Sequence, residues 1–88
     1  MLIGVNKWIM ILNYMRKYGH KINVIDISRA LTITYSHTHR ILIALKKKRF
    51  VSSEKSGRQR FYCLTEKGEK IAEHCKEIMK VVNGMQKT

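Results

Sequence analysis

Residues 54–68 read EKSGRQRFYCLTEKG, and the order of residue types in this stretch decides most of the fold. Gly57 sits among Lys55, Arg58 and Arg60, so a turn there presents positive charge at its tip. Phe61, Tyr62, Cys63 and Leu64 follow as a short apolar run with the aromatic content of a strand. Thr65 then precedes Glu66, which is a capping residue followed by a carboxylate in a first helical turn. A charged hairpin tip, a core-anchored strand and a helix start therefore lie in direct succession.

Upstream, residues 49–54 supply a second strand, which pairs with 59–64 and leaves Lys55, Ser56, Gly57 and Arg58 at the tip. Downstream, a helix is expected over 66–83. Its apolar residues Ile71, Cys75, Ile78, Val82 and Met85 are spaced four, three, four, three, the seam pattern of helices that pair side by side.

The N-terminal half reads as three helices. The first covers about 5–18 and ends at Gly19, a residue suited to the left-handed conformation that closes helices. Val5, Trp8, Leu12 and Met15 form one apolar stripe on it; Leu2, Ile3, Met10, Ile11, Tyr14 and Tyr18 form a second, which needs a partner element or a partner chain. After an extended piece at Lys21 and Ile22, Asn23 caps a two-turn helix with Asp26 in its first turn and Val24, Ile27, Ala30 and Leu31 as its apolar face. Thr32 and Ile33 connect to Thr34, the cap of a third helix. There Thr38, Ile41, Leu42 and Leu45 share one face, and Tyr35, Ser36, His37, His39, Arg40, Ile43 and Lys47 point elsewhere. A short helix, a tight turn and a second helix with a polar, basic outer face, over 23–48, make a helix-turn-helix.

Eighty-eight residues allow one small domain, 44% hydrophobic and free of proline. Eighteen Lys and Arg against six Asp and Glu give a net charge of +12, a self-repelling balance that a polyanion relieves. Between Arg40 and Arg60 stand eight basic residues and one acid, Glu54. Nucleic acid is the expected partner. The apolar start is interrupted by Asn6, Lys7 and Asn13 and closed by Arg16 and Lys17, too early for a membrane span, so a cytoplasmic protein without membrane contact is expected. His20, His37, His39, His74, Cys63 and Cys75 are the possible metal ligands, but none forms a CxxC or HExxH pair. Cys63 and Cys75 read as small buried apolar residues. No metal, cofactor or catalytic constellation is expected, and no enzyme.

The element order, with GRQRFYCLTEKGEKI as its most specific piece, resembles the winged helix-turn-helix domain of MarR-type transcriptional regulators over about residues 5–82; it is also similar to small winged-helix proteins of archaea and their viruses. Two departures stand out. Thr32 occupies the turn position where the family usually has glycine, and Arg49 occupies the glycine position before the first wing strand. Either position holds strained backbone or a slightly different turn.

The resemblance implies a mainly α fold with a small β-hairpin (α+β): helix-turn-helix 23–48, wing 49–64 and a C-terminal dimerisation helix 66–83. It implies a sequence-specific double-stranded DNA-binding regulator, a repressor, with recognition helix 34–48 in the major groove. Tyr35, Ser36, His37, His39, Arg40 and Lys47 are the expected DNA contacts there, with Arg40 on a guanine. Lys55, Arg58 and Arg60 would place wing residues 54–60 on the backbone or in the minor groove. A homodimer through Ile11, Tyr14, Ile71, Cys75, Ile78 and Val82 would favour a near-palindromic site. The alternative is an interaction module, or an architectural protein that binds DNA or RNA without reading sequence.

Overall fold

The structure is a computed structural model that describes residues 6–19 and 21–86. The expectations for Leu2, Ile3, Val5 and His20, and for the side chain of Met85, lie outside the described residues. The elements run α1 (Lys7–Tyr18), β1 (Ile22–Asn23), α2 (Val24–Leu31), α3 (Tyr35–Lys47), β2 (Val51–Ser56), β3 (Gln59–Leu64) and α4 (Glu66–Gln86). The hairpin is part of a three-stranded antiparallel sheet of order β1-β3-β2, because the extended piece before α2 adds Ile22 and Asn23 opposite Tyr62 and Phe61.

Each helix opens on a side chain that accepts from an otherwise unpaired backbone N–H. Asn6 Oδ1 accepts from Trp8 at 2.7 Å, Asn23 Oδ1 from Asp26 at 2.8 Å, Thr34 Oγ1 from His37 at 3.2 Å, and Thr65 Oγ1 from Gly68 at 3.0 Å. The helix ends explain the two departures from the family pattern. At the end of α2, Thr32 has φ 54°, its N–H bonds to the Arg29 carbonyl, and Ile33 N–H bonds to the Ser28 carbonyl at 3.0 Å. At the end of α3, Arg49 has φ 66°, its N–H bonds to Lys46, and Phe50 N–H bonds to Leu45, both at 3.0 Å. Both are Schellman closures carrying a side chain in left-handed backbone, so strain rather than a different turn is the outcome. This also moves the start of the first wing strand from Arg49 to Val51, since the N–H groups of Arg49 and Phe50 bond back to α3 and their carbonyls accept from Thr65.

The core holds Ile11, Leu12, Met15, Ile22, Val24, Ile27, Ile41, Leu42, Leu45, Val51, Tyr62, Ala72 and Cys75. Some packing differs from the sequence reading. Ala30 and Tyr18 are exposed. Cys63 is half-buried, with its Sγ 3.2 Å from Ser52 Oγ, because it lies on the sheet face opposite to Tyr62. On α4 the buried line runs through Gly68, Ala72, Cys75 and Val82, while Ile71 is half-buried and Ile78 exposed. Small residues at 68 and 72 bring α4 close to the body, and the expected seam is rotated accordingly.

One junction fixes α4 against the end of α3. Thr65 Oγ1 donates to the Arg49 carbonyl at 2.6 Å, Thr65 N–H donates to the Phe50 carbonyl at 3.1 Å, and Lys67 Nζ lies 5.0 Å from the Phe50 ring centre. A Cβ on Gly68 would stand 1.8 Å from the Phe50 carbonyl oxygen. The Leu-Thr-x-x-Gly run is therefore a packing motif: the threonine caps α4 and ties it to residues 49 and 50, and the glycine admits the carbonyl.

Candidate nucleic-acid interface

Burial of Thr38, Ile41, Leu42 and Leu45 fixes the rotation of α3, and the opposite side follows from the helical period. Ser36, Arg40 and Lys47 are exposed there, Tyr35, His37 and Lys46 are exposed on its flanks, and His39 is half-buried. The His39 ring stacks on Tyr35 with centroids 6.0 Å apart and planes 8° from parallel. Its Nδ1 is buried without a hydrogen-bond partner.

The wing turns over two residues, with positive φ at Gly57 (63°) and not at Arg58, the requirement of a tight hairpin turn with glycine first. Lys55 and Ser56, expected at the tip, belong to β2 instead. The register pairs Val51 with Leu64, Ser53 with Tyr62 and Lys55 with Arg60. Because side chains alternate across a strand, Lys55 and Arg60 share the face of the buried Tyr62. Glu54 and Phe61 pair on the other face, where Glu54 forms an ion pair with Lys21. That hydrogen bond, with the charge of Glu54, raises the Lys21 pKa above its ordinary value.

The single acid of the 40–60 region is thus turned away from α3, and Arg60 is turned toward it. Arg60 Nη1 donates to Ser53 Oγ at 3.1 Å. With His39 and Tyr62 it lines both hollows between α3 and β3, one reaching Arg58, Tyr35 and Asn23, the other Ile43, Lys46 and Lys47. Burial pushes the Tyr62 phenol up, against an opposing pull from Arg60, so the hydroxyl is a neutral donor at the floor of this cleft. Of the expected contacts, the cleft brings together Tyr35, His39, Lys47, Arg58 and Arg60. Ser36, His37 and Arg40 lie on α3 outside it, and Lys55 lies next to Arg60 across the hairpin. The sequence places Ile43 on the outward side of α3 without giving it a DNA contact, and it does not assign Tyr62 or Lys46 to this surface. Strand alternation from Arg60 would have found Tyr62, and helical spacing from His39 would have found Lys46.

The six residues expected at a dimer contact are distributed differently. Ile11, Cys75 and Val82 are buried inside the chain, Tyr14 and Ile71 are half-buried, and Ile78 is exposed with Val81 beside it. Packing of α1 on α4 accounts for the buried members of the set. Burial also pushes the Cys75 thiol pKa up. Among the described residues no group of three His, Cys, Asp or Glu side chains is placed to hold a metal ion, and no helix is long and apolar enough to cross a membrane.

Four helices around one core, with a helix-turn-helix, a basic outward helix and a two-stranded wing, define the winged helix-turn-helix class. The chain matches the winged helix-turn-helix family over residues 8–83 and belongs to it. Among solved structures it is similar to AF1382 from Archaeoglobus fulgidus, with a TM-score of 0.77, 26% identity and 90% of each chain covered. It is also similar to MepR, a transcription regulator of the Staphylococcus aureus multidrug efflux pump MepA, with a TM-score of 0.76 and 22% identity, covering 94% of this chain. A point mutant of MepR bound to an oligodeoxyribonucleotide gives a TM-score of 0.77 at 21% identity, covering 93% of this chain. The chain spans 61% of the MepR chain and 62% of that mutant. No curated protein matches it. These likenesses agree with the winged helix-turn-helix fold expected from the wing.

Proposed function

We propose that the protein is a sequence-specific double-stranded DNA-binding transcription regulator, a repressor that covers promoter DNA. The observation that carries this reading is the placement of charge by strand register. Lys55 and Arg60 stand directly opposite each other, a like-charge pair that destabilises a hairpin, and Glu54 is held on the far face by Lys21. A polyanion lying across the wing and α3 gives that arrangement a purpose. The DNA-bound MepR mutant of the same fold supports the choice of ligand.

In this reading α3 enters the major groove, where Arg40 donates its two-pronged guanidinium to guanine O6 and N7. Ser36, His37 and His39 read further base edges or hold phosphates, and Tyr35 and Lys47 hold the backbone. Lys55, Arg58 and Arg60 follow the backbone or enter the minor groove. The protein acts in the cytoplasm by binding alone, without catalysis or cofactor. It pairs as a homodimer through the exposed apolar residues of α4, Ile78 and Val81, with the half-buried Ile71 on the same side of that helix, and a symmetric pair favours a near-palindromic site.

Fluorescence anisotropy on defined duplexes over a salt series tests this. Arg58→Ala weakens binding about equally on all sequences and lowers the salt slope by about one. Arg40→Ala relaxes preference at one base pair, at about 1–3 kcal/mol. Equal effects of both variants on all sequences would leave a non-specific architectural protein.

A further inference from the structure

The outward side of α3 contains one residue that a purely electrostatic interface does not explain. Counting around the helix from the buried Thr38, Ile41, Leu42 and Leu45, the opposite direction is occupied by Ser36, Arg40, Ile43 and Lys47, at i, i+4, i+7 and i+11. Three are polar or basic. Ile43 is aliphatic and 39% exposed, beside His39, Lys46, Lys47 and Arg60.

A lone exposed isoleucine is ordinary on a protein surface. This one lies in the middle of the surface that duplex DNA would cover, so its exposed part would be desolvated against base edges. An aliphatic side chain offers no donor or acceptor, and a base edge pressed against it loses hydrogen bonds to water unless that edge is itself apolar. In the major groove the apolar feature is the C5 methyl group of thymine. We propose that Ile43 is a specificity-determining residue that reads a thymine methyl. The assignment rests on the DNA-binding reading above and sharpens it.

The helix also sets where that thymine stands. Ile43 follows Arg40 by three residues, about 4.5 Å along the axis, against about 3.4 Å per base pair. The thymine therefore lies about one to two base pairs from the guanine that Arg40 contacts. Ile43 acts in two directions there: it gains a methyl contact on thymine and leaves the amino group of a cytosine at the same place without a partner.

The test uses the full chain and the duplex recovered from a random pool, with each thymine replaced singly by deoxyuridine, which removes the methyl and keeps the pairing. In the wild type one replacement, next to the Arg40 guanine, weakens binding about fourfold, the equivalent of one buried methyl group. Ile43→Ala binds the thymine duplex about fourfold more weakly and is indifferent to that replacement. Ile43→Val retains most of the discrimination, and Arg40→Ala leaves it intact. Circular dichroism checks that each variant is folded, and the valine variant gives a reading even if the alanine variant is not. A recovered consensus with no uridine effect, or one that persists unchanged in Ile43→Ala and is equal in Ile43→Val, overturns the assignment and leaves the regulator reading standing. A pool that yields no consensus overturns both.

Discussion

Replacing Gly68 by alanine isolates the junction that orients the recognition helix. The new Cβ would lie 1.8 Å from the Phe50 carbonyl oxygen and 2.8 Å from its carbon, and both neighbours are backbone. Opening the shorter contact to 3.0 Å takes a shift of about 1.2 Å. That shift pulls apart the Thr65 N–H to Phe50 bond, the Thr65 hydroxyl to Arg49 bond and the Lys67 ammonium to Lys48 carbonyl bond. At about 1 kcal/mol for each bond, with a further penalty for groups left unpaired, the loss is about 4 kcal/mol. Alanine regains about 1 kcal/mol of helix propensity, so the net destabilisation is about 3 kcal/mol. For a domain of this size that lowers the melting temperature by about 12 °C or more. Gly84, on the same helix and with nothing within 4 Å of its Cβ position, is the internal control: Gly84→Ala stabilises by up to about 1 kcal/mol. Urea unfolding followed by circular dichroism measures both. A Gly68→Ala variant as stable as Gly84→Ala would refute the packing account of the Leu-Thr-x-x-Gly motif.

Other outcomes follow from the same geometry. Thr32→Gly and Arg49→Gly relieve left-handed strain of about 1–2 kcal/mol each, partly offset by the freedom glycine adds to the unfolded chain, so each raises stability by about 0.5–1 kcal/mol in urea titrations. A thiol reagent modifies the half-exposed Cys63 at once and reaches the buried Cys75 only at the rate of opening, so peptide mapping after a short pulse finds label at residue 63. Burial holds the Cys75 thiol and the Tyr62 phenol above their ordinary values, so the unfolded chain gives up these protons at lower pH than the folded one. Stability is therefore full below about pH 8.5 and falls as pH rises beyond it; Cys75→Ala flattens the first part of that fall, measured from pH 8 to 10. Ile78→Glu with Val81→Glu leaves the fold intact and shifts sedimentation from dimer toward monomer; an unchanged dimer would move the contact elsewhere.

Much of the fold is legible because three helix starts carry a side-chain cap followed by apolar residues at helical spacing: Asn23, Thr34 and Thr65. The hairpin is legible because Gly57 punctuates two runs of strand-forming residues. What stays hidden depends on three-dimensional closeness. The resemblance marks Thr32 and Arg49 as glycine positions, but nothing local decides between strained backbone and a different turn, since the Schellman bonds that hold them left-handed form only once the helices end against the body. Ala72 and Gly68 look incidental in a hydrophobicity pattern, yet they define the line along which α4 packs, and their smallness turns Ile78 outward. On the candidate interface, the outward set of α3 can be read from the residues it buries. The orientation of Arg60 toward α3, and of Glu54 away from it, requires the strand register.

Selection of a random duplex pool by the intact protein, with the winning site and bulk DNA then compared at several salt concentrations, tests the central claim most directly. The account predicts a near-palindromic consensus containing a guanine with a nearby thymine in each half, bound about a thousandfold or more above bulk DNA. Binding that weakens steeply with salt yet enriches no sequence would contradict it, and would make the basic wing and helix an electrostatic platform that does not read sequence.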